Sequence, residues 1–164
     1  MPFFLRIIRR GRWFTAPGVG WLAPGEIQAD ALLDLTPEGN SLSVYFVEDD
    51  RSNLERVATA LAAGRNDPVN FDYALFDAAV LSRHGIVSQQ VGGGTPDLFV
   101  NSNWHHDLQQ LTVTQIAGLT AAIAGGLRDR LPQKRVVQMI KDGVRAGAVD
   151  RTQMRDSLRA KLGL

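Results

Sequence analysis

Two stretches of alternating side chains flank a strong turn signal and constrain the fold more than any other feature of the chain. Ile27, Ala29, Ala31, Leu33 and Leu35 alternate with Gln28, Asp30, Leu32 and Asp34, and Leu42, Val44 and Phe46 alternate with Ser43, Tyr45 and Val47. Alternation of this kind puts one set of side chains on one side of a strand and the other set opposite. Between them, Thr36-Pro37-Glu38-Gly39-Asn40 supplies a proline with fixed φ and a glycine free to take a positive one. The pattern predicts a β-hairpin over Ile27–Val47 with one face on a core. Pro2–Arg10, rich in β-branched and aromatic residues, predicts a further strand ended by Gly11. The loop from Trp13 to Gly25 carries two tryptophans, whose simplest use is to pin it to the core.

Helical signals fill most of the remainder. Ser52 and Glu55 have capping-box spacing, the apolar stripe Leu54, Val57, Ala58, Leu61 and Ala62 follows, and Gly64 suits a left-handed C-cap. Phe71–Ile86 fits both periods and is read mainly as helix, while Leu98–Val100 reads as a brief strand. Thr112 and Gln115 form a second capping box, with Leu111 and Ile116 as its hydrophobic staple, for a helix over Val113–Ala124. Gly125-Gly126 is the candidate boundary between a body, 1–126, and a C-terminal helical hairpin, 127–164. In that hairpin Gln133–Ala146 ends at Gly147, Asp150 and Gln153 cap the next helix, and Met154, Leu158 and Leu162 share a face. The expected fold is α+β: a small antiparallel sheet with helices packed on one face, extended by the hairpin, which docks on the body or on a partner chain.

Charge is unevenly distributed. Met1–Arg12 carries +4, Arg128–Leu164 carries +6, and the intervening segment carries −9, for a net charge of +1. Basic ends around an acidic middle favour self-association and admit an anionic partner. With no cysteine, thiolate chemistry and disulfides are excluded. No apolar run suits a membrane span, and the order of charges at the N-terminus is wrong for a secretory signal, so the expected location is the cytoplasm.

Polar chemistry concentrates in Ser88–Leu108. Gly92, Gly93, Gly94 and Thr95 could bring backbone amides toward an anion, with Asn101 and Trp104 completing a ligand site. The spacing nevertheless lacks the Lys-Ser/Thr of a phosphate loop, and Pro96 donates no amide. His105, His106, Asp107 and Asp97 are the candidate catalytic residues, as an oriented general base, with Ser88, Ser102 or Thr95 as nucleophile. Adjacent histidines chelate one metal poorly, and His84 or Asp97 could complete a site only by folding next to them, so no metal and no cofactor is expected. Asn101, Asn103 and Asp97 also suit turns and caps, and Asp49 and Asp50 suit a helix N-terminus.

Arg6, Arg9, Arg10 and Arg12, interleaved with Phe3, Phe4 and Trp13, make the strongest nucleic-acid patch, with Lys134, Arg135, Lys141 and Arg145 as its possible extension. Strand alternation would divide these N-terminal arginines between two faces. No motif fixes a reaction. The expected function is therefore a non-enzymatic protein-interaction or regulatory module that self-associates, with room for a small-molecule ligand and no membrane partner. The alternatives are a small hydrolase or metal-dependent enzyme sited in 88–108, and a nucleic-acid binder using its basic termini.

Overall fold

The computed structural model describes residues 1–14, 22 and 26–164. A first strand, β1 (Phe3–Ile7), leads into a single helical turn, α1 (Arg10–Trp13). After a 3-10 helix at Ala29–Leu35 come β2 (Leu42–Val47), α2 (Leu54–Ala63), β3 (Phe71–Asp77) and α3 (Ala79–Arg83). Next are β4 (Val87–Gln90), α4 (Leu98–Asn103), β5 (His105–Gln109), α5 (Val113–Gly125) and β6 (Leu127–Leu131). The chain closes with α6 (Gln133–Arg145), a 3-10 turn at Arg151–Gln153 and α7 (Asp156–Leu162).

The strands form one antiparallel sheet in the order β4-β5-β2-β1-β3-β6. The fold is α+β, as expected, and its helices are divided between both faces of the sheet. Leu5, Tyr45, Val47, Phe71, Tyr73 and Leu75 face one core, shared with Val57 and Leu61 of α2, Met139 and Ile140 of α6, and Leu158 and Leu162 of α7. Neighbouring residues on the same strands, Phe4, Val44, Ala74 and Phe76, face a second core with Leu119 and Ile123 of α5, Trp13 and Leu35. Burying two faces removes most side chains of the central strands β1, β2 and β3 from water, and apolar burial contributes about 25 cal/mol per Å². Met154, Leu158 and Leu162 are buried together, as their spacing predicts. β6, directly after the Gly125-Gly126 pair, joins β3 along its whole length. No helix of the described residues is long and apolar enough to cross a membrane.

Several local expectations are corrected. Only the second arm of the Ile27–Val47 hairpin is a strand; Ala29–Leu35 is a 3-10 helix. Its buried residues Ala31, Asp34 and Leu35 lie at i, i+3 and i+4, a helical face, and the adjacent Leu32-Leu33 break the alternation. The turn itself forms: Glu38 and Ser41 exchange backbone hydrogen bonds of 2.9 Å around Gly39 and Asn40, both at positive φ. Phe71–Asp77 is a strand and not a helix: Phe71, Tyr73 and Leu75 face one core and Ala74 and Phe76 the other, so apolar residues on both parities blur the period-two signal. Leu98–Asn103 is helical where a strand was expected at Leu98–Val100.

The expected Ser52–Glu55 box is absent: Asn53 occupies the N-cap position of α2 and its side chain makes no capping bond to the helix. Asn53 instead faces back to the strand. Its Oδ1 accepts from the Glu48 N–H while its Nδ2 donates to the Phe46 carbonyl, tying the end of β2 to the start of α2. Gly64 adopts a right-handed conformation and not the left-handed one expected. Asp150 caps the 3-10 turn, so α7 starts later, at Asp156. The Thr112–Gln115 capping box is present with both reciprocal bonds. Most of the Trp13–Gly25 loop, including Trp21, lies outside the described residues; Trp13 is fully buried and donates its indole N–H to Asp34.

Candidate functional site

Ser88–Leu108 is folded as β4, a connection, α4 and β5, and its polar side chains are spent on one another. Asp97, 1% exposed, caps α4 by accepting from the N–H groups of Phe99 and Val100. The same carboxylate takes two bonds from the Arg56 guanidinium, at 2.7 and 3.1 Å. Arg56 in turn lies over the rings of Phe99 and Trp104. Asn101 staples the connection to α4: its Oδ1 accepts from the Thr95 N–H and hydroxyl, and its Nδ2 donates to the Thr95 carbonyl. A Cβ on Gly93 would stand 2.6 Å from that Oδ1, so glycine is required there for close approach, whereas Gly92 and Gly94 face open space. The Thr95 amide, which an anion-binding loop would offer to its ligand, already has its partner.

The histidines do not converge. Consecutive residues of β5, they emerge on opposite faces of the sheet. His105 is buried beside Tyr45, with Nδ1 at 3.3 and 3.2 Å from the carbonyl oxygens of Val91 and Gly92. Carbonyls only accept, so Nδ1 carries the proton. Its Nε2 is 3.7 Å from Asp107, whose Oδ1 accepts the Ser43 hydroxyl. His106 meets the edge of Phe4 and lies 3.0 Å from the Ser88 hydroxyl through Nδ1. Burial, followed by the charge of His105, lowers the His106 pKa below its ordinary value. The structure brings His106 and Ser88 together, and separately His105 and Asp107; Asp97 belongs to the Arg56 pair. Among the described residues no cluster of three His, Asp or Glu is arranged to hold a metal ion.

Three of the four N-terminal arginines are gathered at one cleft. Only Arg6 belongs to β1; the chain bends at Arg9 into α1, which brings Arg9 and Arg10 to the same cleft as Arg6. That cleft, of about 700 Å³, is also lined by Arg65, Arg130, Asp34, Asp72, Leu33 and Val69. Arg12 turns away to pair with Asp34 at 2.6 Å. Burial lowers the Arg65 pKa, against the opposing charge of Asp72, and burial likewise lowers that of Arg6, against Asp34 and Tyr45. Burial by itself would raise the Asp72 carboxyl; the Arg130 fork and the Arg10 N–H outweigh it and hold the group below the usual carboxylate value. Arg65 and Arg130 carry no signal in the sequence that links them to Arg6, because they join it only through β3 and β6. On α6, Arg135 pairs with Glu55 and Arg145 with Asp142.

Comparisons with protein-family models, with curated proteins and with solved structures find no match to this chain.

A second feature of the 88–108 region is its edge. β4 pairs with β5 alone, and Val87-Ser88-Gln89-Gln90 contains no charge. The Val91 N–H donates to the His105 carbonyl. By the alternation of an antiparallel ladder, Ser88 and Gln90 therefore turn their backbone groups outward.

Proposed function

We propose that the protein is a non-enzymatic interaction module that self-associates by lateral pairing of β4 with the β4 of a second copy. The observation that carries this reading is an uncharged edge strand whose first residue, Val87, is 58% exposed. Proteins guard sheet edges with charge, proline or a covering element, since an open row of amides and carbonyls pairs readily with another chain. An antiparallel contact about a two-fold axis at Gln89 is self-complementary, setting the outward-facing Ser88 of each copy opposite Gln90 of the other. The opposite basic and acidic segments of the chain add long-range attraction between copies. The hydrolase alternative keeps only the Ser88–His106 contact at 3.0 Å: Asp107 lies beside His105 on the other face and Asp97 is committed to Arg56 and α4, so no carboxylate orients that imidazole.

Light scattering across a concentration series provides the test. A dimer is expected for the wild type, and a monomer for the Val87→Lys, Gln89→Lys double variant with unchanged circular dichroism. A wild-type chain that stays monomeric throughout the series, or a double variant that still dimerises, would overturn the reading.

A further inference from the structure

We propose that the arginine-lined cleft beneath α1 is a binding site for a small phosphate ester. Its walls bring Arg6, Arg9, Arg10, Arg65 and Arg130 together with only two carboxylates, Asp34 and Asp72, an excess of three positive charges. A cleft of about 700 Å³ is of the size that encloses a small molecule.

Both carboxylates are already saturated from within. Asp34 accepts from the Arg9 N–H, the Arg12 guanidinium and the Trp13 indole. Asp72 accepts the two-pronged Arg130 fork and the Arg10 N–H. The acids therefore fix the geometry of the cleft without neutralising it. Among the described residues, the side chains of Arg9 and Arg10 have no hydrogen-bond or ion-pair partner. Arg10 is held instead over the Phe14 ring at 4.5 Å; Arg65, over Phe71 at 4.7 Å, already donates one N–H to the Asn70 carbonyl, and Arg6 donates to those of Asp34 and Ser43. A guanidinium stacked on a ring keeps its edge N–H groups free to donate.

Gathering like charges in a partly buried cleft costs free energy unless an anion offsets it. Planar guanidinium forks match phosphate oxygens two at a time, which a halide cannot exploit. Leu33 and Val69, both exposed on the cleft wall, offer apolar surface to the rest of an ester. A nucleic-acid backbone fits less well. It needs a continuous basic track; of the residues that could extend one, Arg135 and Arg145 are paired on α6 with Glu55 and Asp142, and Lys134 and Lys141 do not line the cleft.

Isothermal titration of the full chain with phenyl phosphate, pyrophosphate and sulfate at matched ionic strength tests the proposal. Phenyl phosphate is expected to bind at least about tenfold more tightly than sulfate. The Arg9→Ala, Arg10→Ala double variant is expected to lose about tenfold or more for each guanidinium removed. Arg155→Ala, outside the cleft, should bind as the wild type does. Equal affinity for phenyl phosphate and sulfate, or binding indifferent to the double variant, would overturn the site. Binding of single-stranded oligonucleotides that strengthens steadily with length would overturn the ligand class and replace it with a nucleic-acid backbone. Dimerisation through β4 does not enter these outcomes, so the two proposals fail separately.

Discussion

The 88–108 segment and the arginine cleft are both crowded with polar side chains, and they differ in what those side chains have left to offer. In the segment, Asp97, Asn101, Thr95 and His105 are buried and bonded to the chain itself. In the cleft, the carboxylates and the Arg6, Arg65 and Arg130 side chains are bonded internally, while the Arg9 and Arg10 guanidinium groups have no such partner among the described residues. Polar density in a sequence does not distinguish a network that holds a connection in shape from a surface that meets a ligand. The partner of each group does.

That contrast is sharpest in stability. Asn101→Ala leaves the Thr95 amide and carbonyl without their buried partner and the hydroxyl with only its longer bonds to the Asp97 backbone, and is expected to cost about 2–4 kcal/mol in urea unfolding. Arg9→Ala, which removes no bond among the described residues, should stay within about 0.5 kcal/mol of the wild type. Comparable losses for both would erase the distinction.

A smaller effect separates the three glycines. Gly93→Ala must push the Asn101 amide aside and is expected to destabilise by about 1–3 kcal/mol. Gly94→Ala meets open space and should change the melting temperature little. If the two alanine variants melt together, the tight approach of Gly93 to Asn101 is not what positions the connection.

The mildest prediction concerns His106, partly buried against Phe4. Its folded-state pKa lies below its unfolded one, so the unfolded chain takes up the proton first as acid is added. Its contribution to stability is therefore complete above about pH 6.5, the ordinary histidine value. It is lost as the pH falls from there through the depressed pKa. Chemical denaturation at several pH values should show this slope in the wild type and a shallower one in His106→Phe. An unchanged slope would place the titration elsewhere.

Legibility followed the range of the interactions. The turn at Gly39-Asn40, the Thr112–Gln115 box and the Met154, Leu158, Leu162 stripe were readable because each is closed by residues a few positions apart. Phe71–Asp77 was ambiguous, since in a strand buried on both faces apolar residues fall on both parities and blur the alternation. Ala29–Leu35 misled in the opposite way: its alternating residues were overruled by Asp34, which draws in Arg9, Arg12 and Trp13 from the other side of the loop. Asp97 was legible as a cap, yet its pairing with Arg56 was invisible from either residue's neighbours.

By itself the sequence determined the α+β class, most helix positions and the concentration of arginine at the N-terminus, because short-range periodicity, capping and composition act before the chain is compact. Tertiary structure decided which polar groups were consumed and which stayed available. Arg6, Arg65 and Arg130 are far apart along the chain and become neighbours only when β1, β3 and β6 lie side by side. The two histidines, adjacent in sequence, are parted because a strand sends successive side chains to opposite faces.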